Sequence, residues 1–244
     1  RRSSDLKRRE QLISEKFLEF FKDREDVLYS IDFYDLDDED YVDNWKKYVF
    51  TTKISDRFVV KPTWREYEKE ENELVIDLDP GRAFGTGTHP TTYLCIRNME
   101  KYIKENHSVI DVGTGSGILM IAASKLGAKE IYGVDIDSDA CEVAKENLEL
   151  NNVSPLNTKV LVGNLLDVVE EKKFDVVVAN ILADVILLLL KDIFKVMDKD
   201  GILILSGIIE DKKDLVLQKC KEIGLEPLEI LEEKEWVSIV VKIK

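Results

Sequence analysis

Asp111–Gly117 reads DVGTGSG, and it lies between the apolar run Ser108–Val112 and the helical pattern of Ile118–Leu126. Strand, glycine turn and helix thus follow one another directly. Gly113, Gly115 and Gly117 let the backbone turn sharply and let a ligand approach it closely. Their spacing is G-x-G-x-G. A dinucleotide fingerprint wants its third small residue one position later, where this chain has Ile118. The turn therefore favours a ligand without a pyrophosphate and disfavours a nicotinamide-dependent oxidoreductase.

Around this turn, strands and helices alternate. Strands are expected at Ser108–Val112, Glu130–Val134, Thr158–Val162, Phe174–Ala179 and Gly201–Leu205. Helices are expected at Tyr93–Lys104, Ile118–Leu126, Ser138–Asn151, Leu182–Met197 and Lys212–Ile223, with Asp137 or Ser138 as the N-cap of the third. Such alternation means an α/β fold with a doubly wound, mostly parallel sheet. Leu225–Leu231 and Trp236–Lys242 are joined by too few residues for a parallel crossover, so they must be antiparallel neighbours. Upstream, Phe58–Val60 and Leu74–Leu78 read as short strands. Before them lie a helical pattern at Leu12–Phe21, a strand at Val27–Phe33 and an acidic run at Asp35–Asp43.

Composition narrows the function classes. Among 244 residues, 35 basic against 49 acidic side chains leave a net charge of −14. That disfavours a nucleic-acid surface and would complement a basic protein partner. Cys95, Cys141 and Cys220 are far apart and suggest neither a disulfide framework nor a zinc site. With only two histidines, no metal is expected. No apolar run is long enough for a membrane helix and no signal peptide is seen, so a reducing cytoplasm fits. The chain does not start with Met, which fits a fragment of a longer protein.

Several polar residues fall where ligands bind in such sheets, beyond the carboxyl ends of the strands. Asp135 ends the strand after the turn, 22 residues beyond Gly113. Its carboxylate can accept both ribose hydroxyls of an adenosine ligand, or it can cap the next helix, a task Asp137 can equally perform. Asn164 follows the third strand and reads either as an adenine contact or as a plain turn residue. Asn180 ends the fourth strand in VVVANIL (Val176–Leu182) and can offer its carbonyl oxygen to an amine, or it can cap the strand. An adenosine-type ligand beside an amine-orienting Asn suggests S-adenosylmethionine and methyl transfer. Ala83–Thr92 is too rich in Gly and Thr for a regular element and suits a lid. Within it His89 is a candidate general base, or a structural residue. Phe84, with Ile181, is a candidate wall for a pocket that desolvates the amine.

Taken together, Asp79–Thr92 (DPGRAFGTGTHPTT), Asp111–Leu119, Gly133–Asp137 and Ala179–Leu182 resemble the methyltransferases of large-subunit ribosomal protein eleven (PrmA type). Asp40–Lys46 (DYVDNWK) and Pro62–Glu66 (PTWRE) resemble that family's linker, and Leu205–Ile208 (LSGI) with Glu235–Trp236 its C-terminal end. The resemblance runs from about Asp40 onward, and the FGTGTHPTT loop is its most specific part. It implies a class I, seven-stranded sheet with the last strand antiparallel. It implies cofactor contacts at Thr92, Gly113, Asp135 and Asn180, to which the turn adds Gly115 and Gly117 and the third strand adds Asn164. It also implies methylation of lysine and N-terminal amines of a ribosomal protein. The expected layout is a partial, ferredoxin-like substrate-recognition segment over 1–43, a linker over 44–72 and a catalytic domain over 73–244. A monomer that needs neither nucleic acid nor membrane is expected. Two other readings stay open: a class I methyltransferase with another protein or small-molecule acceptor, and a catalytically silent cofactor-binding module.

Overall fold

In a computed structural model of the chain, residues 13–16, 48–79 and 89–244 are described. The chain divides into two compact units, residues 1–49 and 50–244. In the first, Ile13–Lys16 is helical, within the expected pattern at Leu12–Phe21. The expected strand at Val27–Phe33 and the acidic run lie outside the described residues.

The second unit holds two sheets. The smaller is formed by β1 (Thr52–Lys53), β2 (Phe58–Pro62) and β3 (Leu74–Leu78), with β1 antiparallel to β2 and β2 parallel to β3. Ile54, Phe58, Ile76 and Leu78 are buried in the same apolar cluster as the central strands. Within the segment read as linker, Ile54 and Phe58–Val60 are therefore packed structure, while residues 66–72 are exposed.

The larger sheet contains β4 (Ser108–Val112), β5 (Glu130–Asp135), β6 (Thr158–Val162), β7 (Phe174–Asn180), β8 (Met197–Ile209), β9 (Leu225–Glu233) and β10 (Trp236–Ile243). Its order is β6-β5-β4-β7-β8-β10-β9. β10 is antiparallel to both β8 and β9, and every other pairing is parallel. One face is covered by α1 (Pro90–Tyr102), α2 (Ile118–Lys125) and α3 (Ser138–Leu150), and the other by α4 (Ala183–Leu189) and α5 (Lys213–Glu222). This is the class I methyltransferase architecture. No helix among the described residues is long and apolar enough to cross a membrane.

Local chemistry explains the element boundaries. Asp137 is the N-cap of α3 and accepts the Asp139 N–H at 2.9 Å. α1 begins at Pro90, earlier than the expected Tyr93, because His89 caps it and proline suits a first helical turn. The expected helix Leu182–Met197 stops at Leu189. Beyond it, hydrogen bonds such as Asp192 N–H to Leu189 O and Lys195 N–H to Asp192 O span three residues, not four. Ile193, Val196 and Met197 stay buried in this tighter winding, so the apolar stripe persists while the α-helix does not. β8 also starts earlier than expected. Its register passes from Phe174↔Met197 to Val176↔Ile202, and residues 198–201 form an excursion inside the strand.

Gly117 opens α2 with φ +78°, and a Cβ there would lie 3.1 Å from the Ala144 backbone on α3. It joins two helices closely. Gly117→Ala should therefore lower stability by roughly 1–3 kcal/mol through left-handed strain and crowding. A urea titration should show the midpoint falling with little change in slope.

Candidate functional site

The sheet order reverses between β4 and β7, since the chain runs outward through β5 and β6 and returns to the other side of β4. At the carboxyl ends of these strands lies a cavity of about 660 Å³. Its polar wall is Gly113, Gly115, Asp135, Asn164 and Asn180, while Ile136, Ile181, Val185 and Leu188 supply apolar surface. The size and mix suit a small organic ligand. Five of the candidate residues thus lie together in one place.

Asp135 holds the floor of this cavity. Its carboxylate accepts the Gly115 N–H at 2.8 Å and the Asp137 N–H at 3.0 Å. A carboxylate offers about four acceptor positions, so two remain for ligand hydroxyls. The capping task falls to Asp137. Gly113 has φ +80°, and its missing Cβ would sit 2.4 Å from Ile181 Cγ2. Any side chain there would displace Ile181 from the cavity wall. Asn164 is both a wall residue and a turn residue, accepting the Asp167 N–H at 3.1 Å.

A second, mostly apolar cavity of about 430 Å³ adjoins the first. It shares Asn180, Ile181 and Val185 with it and adds His89, Thr91, Leu182, Gly207 and Trp236. Trp236 and His89 meet edge to face, with ring centroids 4.9 Å apart. His89 Nδ1 accepts the Thr91 N–H at 3.4 Å as helix cap and lies 2.9 Å from Thr91 Oγ1. Thr92 is buried beside the site, and Asn180 Nδ2 donates to its Oγ1 at 3.5 Å. Gly117 lines neither cavity and faces α3. Phe84, Gly85, Thr86, Gly87 and Thr88 lie outside the described residues.

Trp236, Gly207 and Asp111 carry no site role in the sequence reading. Trp236 reaches the site because β10 pairs with β8 and sets it against Ile209. Gly207 has φ +80° and approaches Ile181, where a Cβ would meet the carbonyl oxygen at 2.5 Å. The LSGI stretch was the available signal for it.

Asp111 is fully buried under the turn. Thr114 Oγ1 donates to its Oδ2 at 2.7 Å, while Oδ1 has no hydrogen-bond partner. Burial pushes its carboxyl up to about 7, and the Asp135 charge adds to the rise against the Thr114 hydrogen bond. Burial likewise raises the Cys95 thiol, with Asp111 adding to the effect. An acid whose folded pKa lies above its unfolded value, about 4, stabilises the fold fully below pH 4. That contribution fades as pH rises and is gone above about 7. Asp111→Asn should therefore match the parent near pH 4 and exceed it by roughly 1–4 kcal/mol above pH 8, read from unfolding midpoints at each pH.

Comparison with known proteins agrees with this geometry. The family model described as "Ribosomal protein L11 methyltransferase (PrmA)" matches residues 7–244. A relative of that name from Fusobacterium nucleatum subsp. nucleatum is 56% identical over 237 residues, covering 97% of this chain and 76% of the relative. Another from Clostridium perfringens is 50% identical over 207 residues, covering 85% of this chain and 65% of the relative. The crystal structure of a ribosomal protein L11 methylase from Lactobacillus delbrueckii subsp. bulgaricus superposes with a TM-score of 0.76 at 34% identity, covering 80% of this chain and all of that one. The chain is an S-adenosylmethionine-dependent methyltransferase, and it belongs to the ribosomal protein L11 methyltransferase (PrmA) family.

Proposed function

We propose that this protein transfers methyl groups from S-adenosylmethionine to lysine and N-terminal amines of a large-subunit ribosomal protein. The observation that carries the reading is the junction of the two cavities at Asn180 and Ile181. The larger suits an adenosyl group, and the smaller, apolar one suits an amine entering from the opposite side. Asp135 would hold the ribose hydroxyls. Gly113 and Gly115 would admit the donor close to the backbone, Asn164 would meet the adenine, and Thr92 with Asn180 would flank the reacting end. The net charge of −14 complements a basic ribosomal protein. Residues 1–43 would serve substrate recognition, and the reaction would run in the cytoplasm without nucleic acid or membrane.

S-adenosylmethionine supplies an electrophilic methyl group on a sulfonium. The residues have to align a neutral amine with it and keep water away. Deprotonating a lysine at pH 7 costs about 5 kcal/mol, and an α-amine near pKa 8 about 1 kcal/mol. Apolar surface from Ile181, Leu182, Val185 and Trp236 disfavours the ammonium form, so the proton leaves to water before the amine settles. Asn180 orients the neutral nitrogen through its amide oxygen. Its Nδ2 faces Thr92 Oγ1 at 3.5 Å, leaving the amide oxygen for the amine. His89 serves here as helix cap and as the edge partner of Trp236.

Labelled S-adenosylmethionine supplied to ribosomal subunits and free large-subunit proteins should place label on lysines and the N-terminus of one protein, resolved by mass spectrometry. Label confined to other proteins or to small molecules would refute the substrate assignment. Asn180→Ala should lower kcat by about 10²–10³-fold through lost orientation. Full transfer at normal cofactor affinity would remove Asn180 from the mechanism. Asp135→Ala should weaken S-adenosylhomocysteine binding roughly 10–100-fold by calorimetry, since charged hydrogen bonds are lost.

A further inference from the structure

Ser206 is a fully buried hydroxyl near the end of β8, after the apolar run Ile202–Leu205 and before Gly207 and Ile208. A buried hydroxyl is costly unless it is hydrogen-bonded, and an aliphatic side chain is the ordinary occupant of such a position. Its bond is specific. Ser206 Oγ donates to the Thr91 carbonyl at 2.9 Å, tying β8 to the first turn of α1, next to Thr92. Its backbone serves the opposite wall. Ser206 pairs with Asn180 across the sheet, and its carbonyl accepts the Ile181 N–H at 3.2 Å. One residue thus bonds the chain neighbours of both Thr92 and Asn180, Thr91 and Ile181, and the Thr92 and Asn180 side chains meet at 3.5 Å. Gly207 then turns away with φ +80°, which lets the strand pass Ile181.

We infer that Ser206 is a positioning residue, whose hydroxyl sets the position of Thr92 against Asn180 at the edge of the methyl-donor site. It touches no ligand itself and acts through the Thr91–Thr92 turn. A second strap, Asn98 Nδ2 to Ser238 Oγ at 2.9 Å, fixes α1 further along, so loss of the Ser206 bond frees the N-terminal end of α1 in particular. The inference rests on the proposed roles of Thr92 and Asn180.

A double-mutant cycle on the full chain tests it, with S-adenosylhomocysteine affinity read by calorimetry and methyl transfer read alongside. Ser206→Ala should weaken binding about tenfold, the loss of one hydrogen bond. Thr92→Ala should weaken it by a similar factor. In the Thr92→Ala background, Ser206→Ala should cost less than twofold further, because the hydroxyl acts through Thr92. Equal losses in both backgrounds would mean a general structural role and overturn the inference. So would unchanged binding in Ser206→Ala where Thr92→Ala binds weakly. If Thr92→Ala itself binds normally, the assigned role of Thr92 falls and the inference falls with it. Should Ser206→Ala not fold, Ser206→Thr and Ser206→Val, equal in shape, ask the same question. The threonine variant should bind at least fivefold more tightly than the valine variant, and equal affinities would refute the inference.

Discussion

The close passage at Ile181 organises this molecule. Gly113, just after β4, and Gly207 on β8 both lack the Cβ that would strike Ile181, at 2.4 Å and 2.5 Å. Both adopt left-handed backbone, which glycine alone enters without strain. Between them the chain leaves β7 with Asn180 directed into both cavities. Interiors are close-packed, so a methyl group at either glycine cannot be absorbed locally. The shape of the site follows from what those two positions omit.

Around this passage the fold divides its tasks by face. The glycine turn and Asp135 are secured from the backbone, through Gly113 N–H to Val134 O and Gly115 N–H to the carboxylate. The helix side is secured from side chains, through the Ser206 hydroxyl on the Thr91 carbonyl and the Trp236–His89 contact. The glycine-turn half is thus closed by bonds within the sheet and its first turn. The other half also depends on α1, which seats Ile96 and Met99 in the core beneath it. This division suits a reaction in which one reactant is always the same and the other is part of a large protein.

Much of this was legible in the residues. The strand–turn–helix at Asp111–Gly117, the cap at Asp137, the carboxylate at Asp135 and the paired final strands all rest on local chemistry. Local chemistry misleads where long-range pairing decides. Ile186, Leu189, Leu190 and Ile193 have helical spacing, yet the helix gives way to a tighter turn as Phe174 N–H takes the Val196 carbonyl at 2.7 Å and starts β8. The turn-forming residues Asp198–Gly201 do turn, but inside a strand and not before it. Gly117 reads like a cavity-lining glycine because its motif-mates line the cavity; only the approach of α3 distinguishes it. Trp236 and Ser206 lie in stretches marked only by family resemblance, since it is the sheet order that brings them to the site.

That sheet order also bears on the moment of folding. β10 lies inside the sheet, between β8 and β9, although it follows both in the chain. During synthesis, β9 has no partner in the sheet until Trp236–Ile243 has left the ribosome, and until then β8 exposes an open edge. The parallel core from β4 to β8 can assemble earlier, with the glycine turn and Asp135 in place. The Trp236 wall follows β8 and β9. A nascent chain thus completes the cavity at Asp135 before the one at Trp236, because the strand beside β8 in space is made after β9.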